Sequence, residues 1–293
     1  MIDREKLKGL PIGILDTGLG GLTAVNEALR SLPDEDIVYF GDTGRVPYGS
    51  RSAGTIVKYS RQCVRYLMRR DVKAVVVACG TISSNAMDSL LSSRAELQRG
   101  SAADRLGYEV PIIGVVEPSC AAAAEATRNG RVAVAATSAT IASGIYEREL
   151  KRLDPAIEVC SRECPLFVPL VEGGHISPDD PITAAAVGFY MRKIADFGAD
   201  TLILGCTHYP LIREAIGRAV PGAGLIDSGA QGVLALRQIL RRDGLLRGGN
   251  AAPHVQVNVT DRTQHFTRIA SLLVSGRDVL GDVRQIDLDD LDK

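Results

Sequence analysis

The chain is 293 residues long, which at roughly 150 residues per domain leaves room for about two domains or one large α/β unit. Hydrophobic residues make up 45%, charged residues 24% and aromatics 4%, with no tryptophan; this excludes a disordered or collagen-like chain and calls for an aliphatic core. With 34 Lys and Arg against 35 Asp and Glu, the formal charge is -1, so no global field recruits nucleic acid or an anionic membrane.

The N-terminal MIDREKLKGLPIGIL is charged and lacks the apolar core of a signal peptide. No apolar run is long enough to span a bilayer, so a cytoplasmic location is expected. Short β-branched runs then alternate with stretches of 3.6-residue periodicity, the pattern of a parallel sheet covered by helices. A strand is predicted at 11–15 and a helix at 22–31, joined by Asp16-Thr17-Gly18-Leu19-Gly20-Gly21. This glycine-rich turn has neither the GxGxxG spacing of a dinucleotide site nor the GK[ST] ending of a P-loop. A strand at 36–40 leads to Asp42-Thr43-Gly44 and to VPYG at 46–49, flanked by Arg45 and Arg51, before a helix at 52–70. A strand at 74–78 and a helix at 83–97 follow, and the polar stretch 98–109 is the best candidate for a crossing between lobes.

The second half repeats the alternation. Strands are predicted at 111–115, 132–136, 158–160, 201–204 and 224–226, and helices at 118–128, 138–153, 179–197, 211–220 and 230–241. Pro118 fits the first turn of its helix. Residues 247–253 read as a second flexible segment, and the acidic end 287–293 as a solvated tail. The expected fold is α/β in two lobes, each a mostly parallel sheet flanked by helices, with 1–103 plus 209–293 in the first lobe, 104–208 in the second and a cleft between them. A third D-[ST]-G lies at Asp227-Ser228-Gly229. The string invites an aspartic-protease reading, but Asp16 and Asp227 both lead into Ala/Leu-periodic helices, unlike an almost all-β protease.

One internal repeat carries chemistry. Residues 74–81 read AVVVACGT and 201–208 read TLILGCTH; each is an aliphatic strand ending in a small residue, a cysteine and a hydroxyl residue that opens a helix. Cys79 and Cys206 therefore fall at the carboxyl ends of strands, where α/β sheets place ligands. Beside a helix N-terminus a thiol is expected to ionise below its ordinary range, and the free N–H groups can bind a carboxylate. A lone Cys206 with His208 would suggest nucleophilic catalysis. Two symmetry-related thiols facing one carbon from opposite sides would instead invert a stereocentre. The other four cysteines read as buried thiols, and Cys160 and Cys164, spaced CxxxC with no histidine nearby, do not suggest zinc.

The blocks GILDTGLGGLTAV, DIVYFGDTGRVPYGSRS, VVACGTISSNA, ATSATIASGIY, CPLFVPLVEGG and LGCTHYPLI, in this order, resemble the glutamate racemases of the aspartate/glutamate racemase superfamily over nearly the full length. The resemblance implies two pseudosymmetric lobes with the active site in the interlobe cleft. It implies a cofactor-independent, metal-free enzyme that interconverts L- and D-glutamate, the D isomer serving peptidoglycan synthesis. By this likeness Cys79 takes the α-proton from D-glutamate and Cys206 from L-glutamate, with Asp16 beside the first thiol and Glu172 and His208 beside the second. Asp16, Thr17, Tyr48, Gly49, Gly80, Thr81, Thr140, Thr207 and His208 match substrate-binding positions. Homodimers are common among such proteins. Two departures stand out: Gly80 replaces the usual Asn, removing a side-chain contact to substrate, and Thr17 replaces the common Ser. Lys58 and Lys193 fall inside predicted helices and Lys73 precedes a strand, so nothing points to pyridoxal phosphate. An aspartate racemase and a non-catalytic amino-acid-binding protein remain the alternatives; Arg45 and Arg51 could guide an anionic substrate, and His175, His254 and His265 read as ordinary histidines.

Overall fold

The computed structural model describes residues 3–249, 252–262, 270, 273–274 and 281–291. Its strands are β1 (Ile12–Asp16), β2 (Ile37–Gly41), β3 (Ala74–Val77), β4 (Ile112–Gly114), β5 (Arg131–Ala136), β6 (Glu158–Glu163), β7 (Thr201–Leu204), β8 (Gly224–Asp227), β9 (Val255–Val259) and β10 (Val283–Gln285). They form two sheets, ordered β10-β9-β2-β1-β3-β4 and β6-β5-β7-β8, and every pairing among the described residues is parallel. The strands β1, β2 and β3 are buried along their whole length. That is why they read as continuous aliphatic runs and not as alternating ones. Each fully buried Ile or Val contributes roughly 1.5–3 kcal/mol relative to exposure.

The strand orders place the site. In the first sheet β1 is flanked by β2 and β3, and in the second β5 is flanked by β6 and β7. The chain thus leaves β1 and β3, or β5 and β7, on opposite sides of a crevice at the point where strand order reverses, where doubly wound sheets bind ligands. Register carries both thiols to the same height: Leu15 pairs with Val77, two residues before Cys79, and Ala135 pairs with Leu204, two before Cys206.

Several boundaries differ from the expectation. Sheet membership does not follow boundaries at 103/104 and 208/209, because β4 pairs with β3 in the first sheet and β8 with β7 in the second. The stretch 98–109 is an excursion within the first lobe, and it contains a short helix, Ala102–Arg105. The predicted helix at 83–97 is three short ones, Gly80–Asn85, Met87–Ser92 and Arg94–Leu97. The one at 138–153 is split into Ser138–Ala142 and Ile145–Leu153 by Gly144, whose φ of 65° is left-handed. Two further strands, β9 and β10, extend the first sheet beyond β2. The predicted helix at 179–197 is Pro181–Phe197, capped by Asp180 through Ile182 N–H and Thr183 N–H and ended by the left-handed Gly198.

At the opposite end of β3 from Cys79 lies a buried ion pair. Lys73 Nζ is 2.6 Å from Glu35 Oε2 and both side chains are at most 1% exposed. Lys73 also donates to the carbonyls of Lys8 and Leu245, and Glu35 accepts from Arg247 N–H. The pair ties the N-terminal helix Arg4–Gly9 and the segment after the helix Ser228–Arg242 to the base of the sheet.

Candidate active site

A cavity of about 410 Å³ lies between the exits of the two sheets, a volume suited to a small molecule. Cys79 and Cys206 both line it, with Thr17, Tyr48, Gly49, Gly80, Thr81, Glu172, Thr207 and His208. Apolar wall comes from Val46, Pro47, Pro165, Val168 and Pro169. Both sulfurs are nearly enclosed, with Cys79 5% and Cys206 8% exposed, so water competes little for charge developing inside.

The two thiols have different surroundings. Cys79 is the N-cap of Gly80–Asn85, and its Sγ lies 3.7 Å from Thr17 Oγ1. Burial, then the Asp16 charge, push the Cys79 thiol up to about 12 against the opposing hydrogen bonds from Ile82 N–H and Thr17. This is the reverse of the lowering expected beside a helix N-terminus, because desolvation of the ionised form outweighs a single short helix. Cys206 Sγ lies 3.8 Å from His208 Nδ1, and His208 Nε2 lies 3.1 Å from Glu172 Oε1. Burial alone would lower His208, but hydrogen bonds to Cys206 and Glu172 outweigh it and raise the imidazolium to about 10. A cation therefore sits against the second sulfur, while a carboxylate sits behind the first.

Asp16 and Thr140 do not line the cavity. Asp16 is 1% exposed and its Oδ2 accepts from Gly18 N–H and Gly21 N–H, so it shapes the turn that carries Thr17. Thr140 Oγ1 bonds Thr137 Oγ1, which in turn bonds Thr81 Oγ1, each at 3.0 Å. This hydroxyl chain crosses from the second sheet to the first, and its middle member, with Ser138, lines the cavity. Neither Thr137 nor Ser138 was singled out from sequence, although both follow directly on β5 just as the cysteines follow β3 and β7. Tyr48 lines the cavity and its hydroxyl donates to buried Asp42. Arg45 Nε donates to the same Asp42 oxygen, its guanidinium packs over Tyr59, and Thr260 donates to the other oxygen. Arg45 is thus committed to holding the 46–50 wall from behind and does not face an anionic substrate.

The backbone around Gly80 leaves no room for a side chain unless it shifts. A Cβ there would lie 2.0 Å from the Gly205 carbonyl oxygen, so the contact expected of an Asn at this position has no room here. His175 is paired with Asp180, the cap of Pro181–Phe197, and His254 with Asp282 at the surface; His265 lies outside the described residues. All six cysteines are free, and no cluster of metal-binding side chains occurs among the described residues. No described helix is long and apolar enough to cross a membrane.

Similar proteins have the same architecture. A glutamate racemase from Geobacter metallireducens is 39% identical over 95% of this chain and 97% of its own. The crystal structure of glutamate racemase from Francisella tularensis in complex with D-glutamate superposes with a TM-score of 0.84 at 33% identity, over 97% of this chain and 100% of that one. That of the Thermus thermophilus enzyme in complex with β-chloro-D-alanine gives 0.80 at 35% identity, over 96% and 98%. The Asp/Glu/Hydantoin racemase family profile matches residues 16–236, which run from the acid at the end of β1 to the helix after β8 and include both thiols. The chain belongs to the aspartate/glutamate/hydantoin racemase family.

Proposed function

We propose that the protein interconverts L- and D-glutamate without a cofactor, Cys79 and Cys206 exchanging protons with opposite faces of the α-carbon and the D isomer serving peptidoglycan synthesis. The observation that carries this reading is the pair of thiols at equivalent strand exits of two sheets, both lining one cavity. A nucleophile needs one such thiol; inversion needs two.

The α-proton of an amino acid is far less acidic than a thiol, so the site must stabilise charge that develops on the substrate carboxylate as the C–H bond breaks. The N–H groups opening the helix Gly80–Asn85 and the hydroxyls of Thr81 and Thr207 stand on the cavity wall for this purpose. Apolar walls from Val46, Pro47 and Val168 keep these donors in a dry setting where they act strongly. Cys79 enters as the thiol, and the His208 imidazolium compensates negative charge on the Cys206 sulfur. This is the state that accepts L-glutamate: Cys206 removes the α-proton and Cys79 delivers its own to the other face. D-glutamate meets the converse state, in which Cys79 is the base.

Proton NMR of each glutamate isomer with the protein in deuterated water, without added cofactor, tests the reading. The α-proton signal of both isomers is expected to disappear as the opposite isomer grows by chiral analysis. Exchange with aspartate alone would move the assignment to an aspartate racemase, and binding without exchange would leave a binding protein.

The His208 environment predicts an alkaline limb in kcat/KM. Because His208 is held protonated up to about 10, activity that depends on the imidazolium persists below that pH and falls as it rises through it. Glu172→Gln keeps an acceptor oxygen but removes the negative charge that helps to raise His208, so the limb is expected to move to lower pH. The substrate ammonium group titrates in the same region but does not respond to the replacement. An unmoved limb in Glu172→Gln would remove His208 from this role.

A further inference from the structure

We infer that Gly20 is a positioning residue for the second thiol: its bare Cα makes room for the Thr207 hydroxyl and the His208 imidazole, so that one turn of the first lobe both sets Thr17 against Cys79 and seats His208 against Cys206. The inference rests on the two-thiol reading above and deepens it. A Cβ at position 20 would run into Thr207 Oγ1 and stand 2.6 Å from His208 Nδ1 and 2.8 Å from His208 Cε1. Nδ1 is also the atom that faces the Cys206 sulfur, 3.8 Å away. The edge of the imidazole that serves the thiol is therefore the edge that rests on Gly20.

The turn has little freedom to retreat. Asp16 Oδ2 accepts from Gly18 N–H and Gly21 N–H, and buried Tyr39 donates to Gly18 O at 2.6 Å. A Cβ on Gly21 would meet Asp16 Cβ, and one on Gly41 would lie 2.5 Å from Gly18 O, so the turn is already pressed against the ends of β1 and β2. Thr23, in the first turn of the helix Leu22–Ser31, ties it to the other lobe: its hydroxyl donates to Gly20 O at 2.8 Å and reaches Thr207 O at 3.2 Å. The backbone after β7 is pinned as well, with Tyr209 N–H on Cys206 O and Leu211 N–H on His208 O. With both backbones held, a methyl group at position 20 is accommodated by the Thr207 hydroxyl and the imidazole, and the imidazole yields by turning Nδ1 away from Cys206.

That displacement slows one face of the reaction. Cys206 takes the α-proton of L-glutamate, forming S–H as C–H breaks, and Cys79 gives its own proton to the other face; D-glutamate runs the same two transfers in the reverse order. With His208 turned away, charge on the Cys206 sulfur loses its counter-ion, and the transfer at that sulfur becomes the slow one in both directions. From α-deuterated L-glutamate the slow transfer is the one that moves deuterium. From α-deuterated D-glutamate it is the one that returns an ordinary proton from Cys206. The two isotope effects therefore move apart, whereas a loss of folded protein leaves both where they were.

The experiment measures the deuterium isotope effect on kcat/KM for each α-deuterated isomer in ordinary water, in wild type, Gly20→Ala and Gly188→Ala. Gly188 has no atom within 4 Å of its would-be Cβ and serves as the control. Gly20→Ala is expected to lower kcat/KM by about 100-fold, the scale set by a displacement near 1 Å at a reacting centre. It is expected also to raise the ratio of the L to the D isotope effect, the D effect falling toward unity; Gly188→Ala keeps the wild-type ratio. Should Gly20→Ala not fold, Thr23→Val removes the hydroxyl that joins Gly20 O to Thr207 O and is expected to raise the same ratio by less. A ratio that stays at the wild-type value in the folded variant, or that falls, would overturn the inference while leaving the racemase reading intact. A wild-type protein that leaves glutamate untouched would overturn both.

Discussion

Cys79→Ala and Cys206→Ala are each expected to lower racemisation by about 10⁴-fold, the upper part of the range for a positioned proton-transfer group, while the cavity still binds glutamate. Each variant should keep one half of the chemistry. With Cys79→Ala the Cys206 sulfur and its His208–Glu172 partners are intact, so slow exchange of the L-glutamate α-proton persists. With Cys206→Ala the remaining base is a thiol held near 12 by burial and by Asp16, so exchange of D-glutamate should be slower at neutral pH and should climb steeply in alkali. NMR in deuterated water reads both. Wild-type turnover in either variant, or residual exchange of the same isomer in both, would remove the two-face assignment.

The second large effect is on stability and arises far from the cavity. Lys73→Met leaves Glu35 as a buried carboxylate without its ammonium partner, a change that costs about 3–5 kcal/mol when a buried pair is broken from one side. Urea unfolding should show the loss, with turnover per folded molecule preserved because Lys73 precedes β3 and Cys79 follows it. Replacing both groups, Lys73→Met with Glu35→Leu, should recover most of the loss, since a well-packed apolar pair is often as stable as a buried ionic one. A single variant as stable as wild type would show that the pair carries little of the fold.

The parts of this molecule that were legible in the sequence are those set by local pattern. AVVVACGT and TLILGCTH placed both cysteines at strand exits because burial on both faces writes a strand as an aliphatic run and the small residues mark its end. Sheet membership was not legible. Strand β4 has only three residues and joins the first sheet through pairing to β3, and β8 joins the second through β7, long-range choices that local sequence does not encode. The helix breaks at Ala86, Ser93 and Gly144 were missed because periodicity continues across them. The level of ionisation at Cys79 was missed for a different reason: the helix end is visible in the sequence, but its enclosure and the Asp16 carboxylate behind it are products of the tertiary fold. Gly80 read as a lost contact, and only the position of the Gly205 carbonyl reveals it as a point of closest approach.

The unlike partners of the two sulfurs, a carboxylate behind one and an imidazolium against the other, have a thermodynamic consequence. Mirror-image substrates have identical free energies in water, so the ratio of kcat/KM in the two directions is pinned at unity whatever the site looks like. The lopsided charge around Cys79 and Cys206 cannot make the catalyst favour one enantiomer from free solution. It can only divide that shared efficiency differently between affinity and maximal velocity, so that the enzyme, symmetric at trace substrate, becomes directional when crowded with one hand of its ligand.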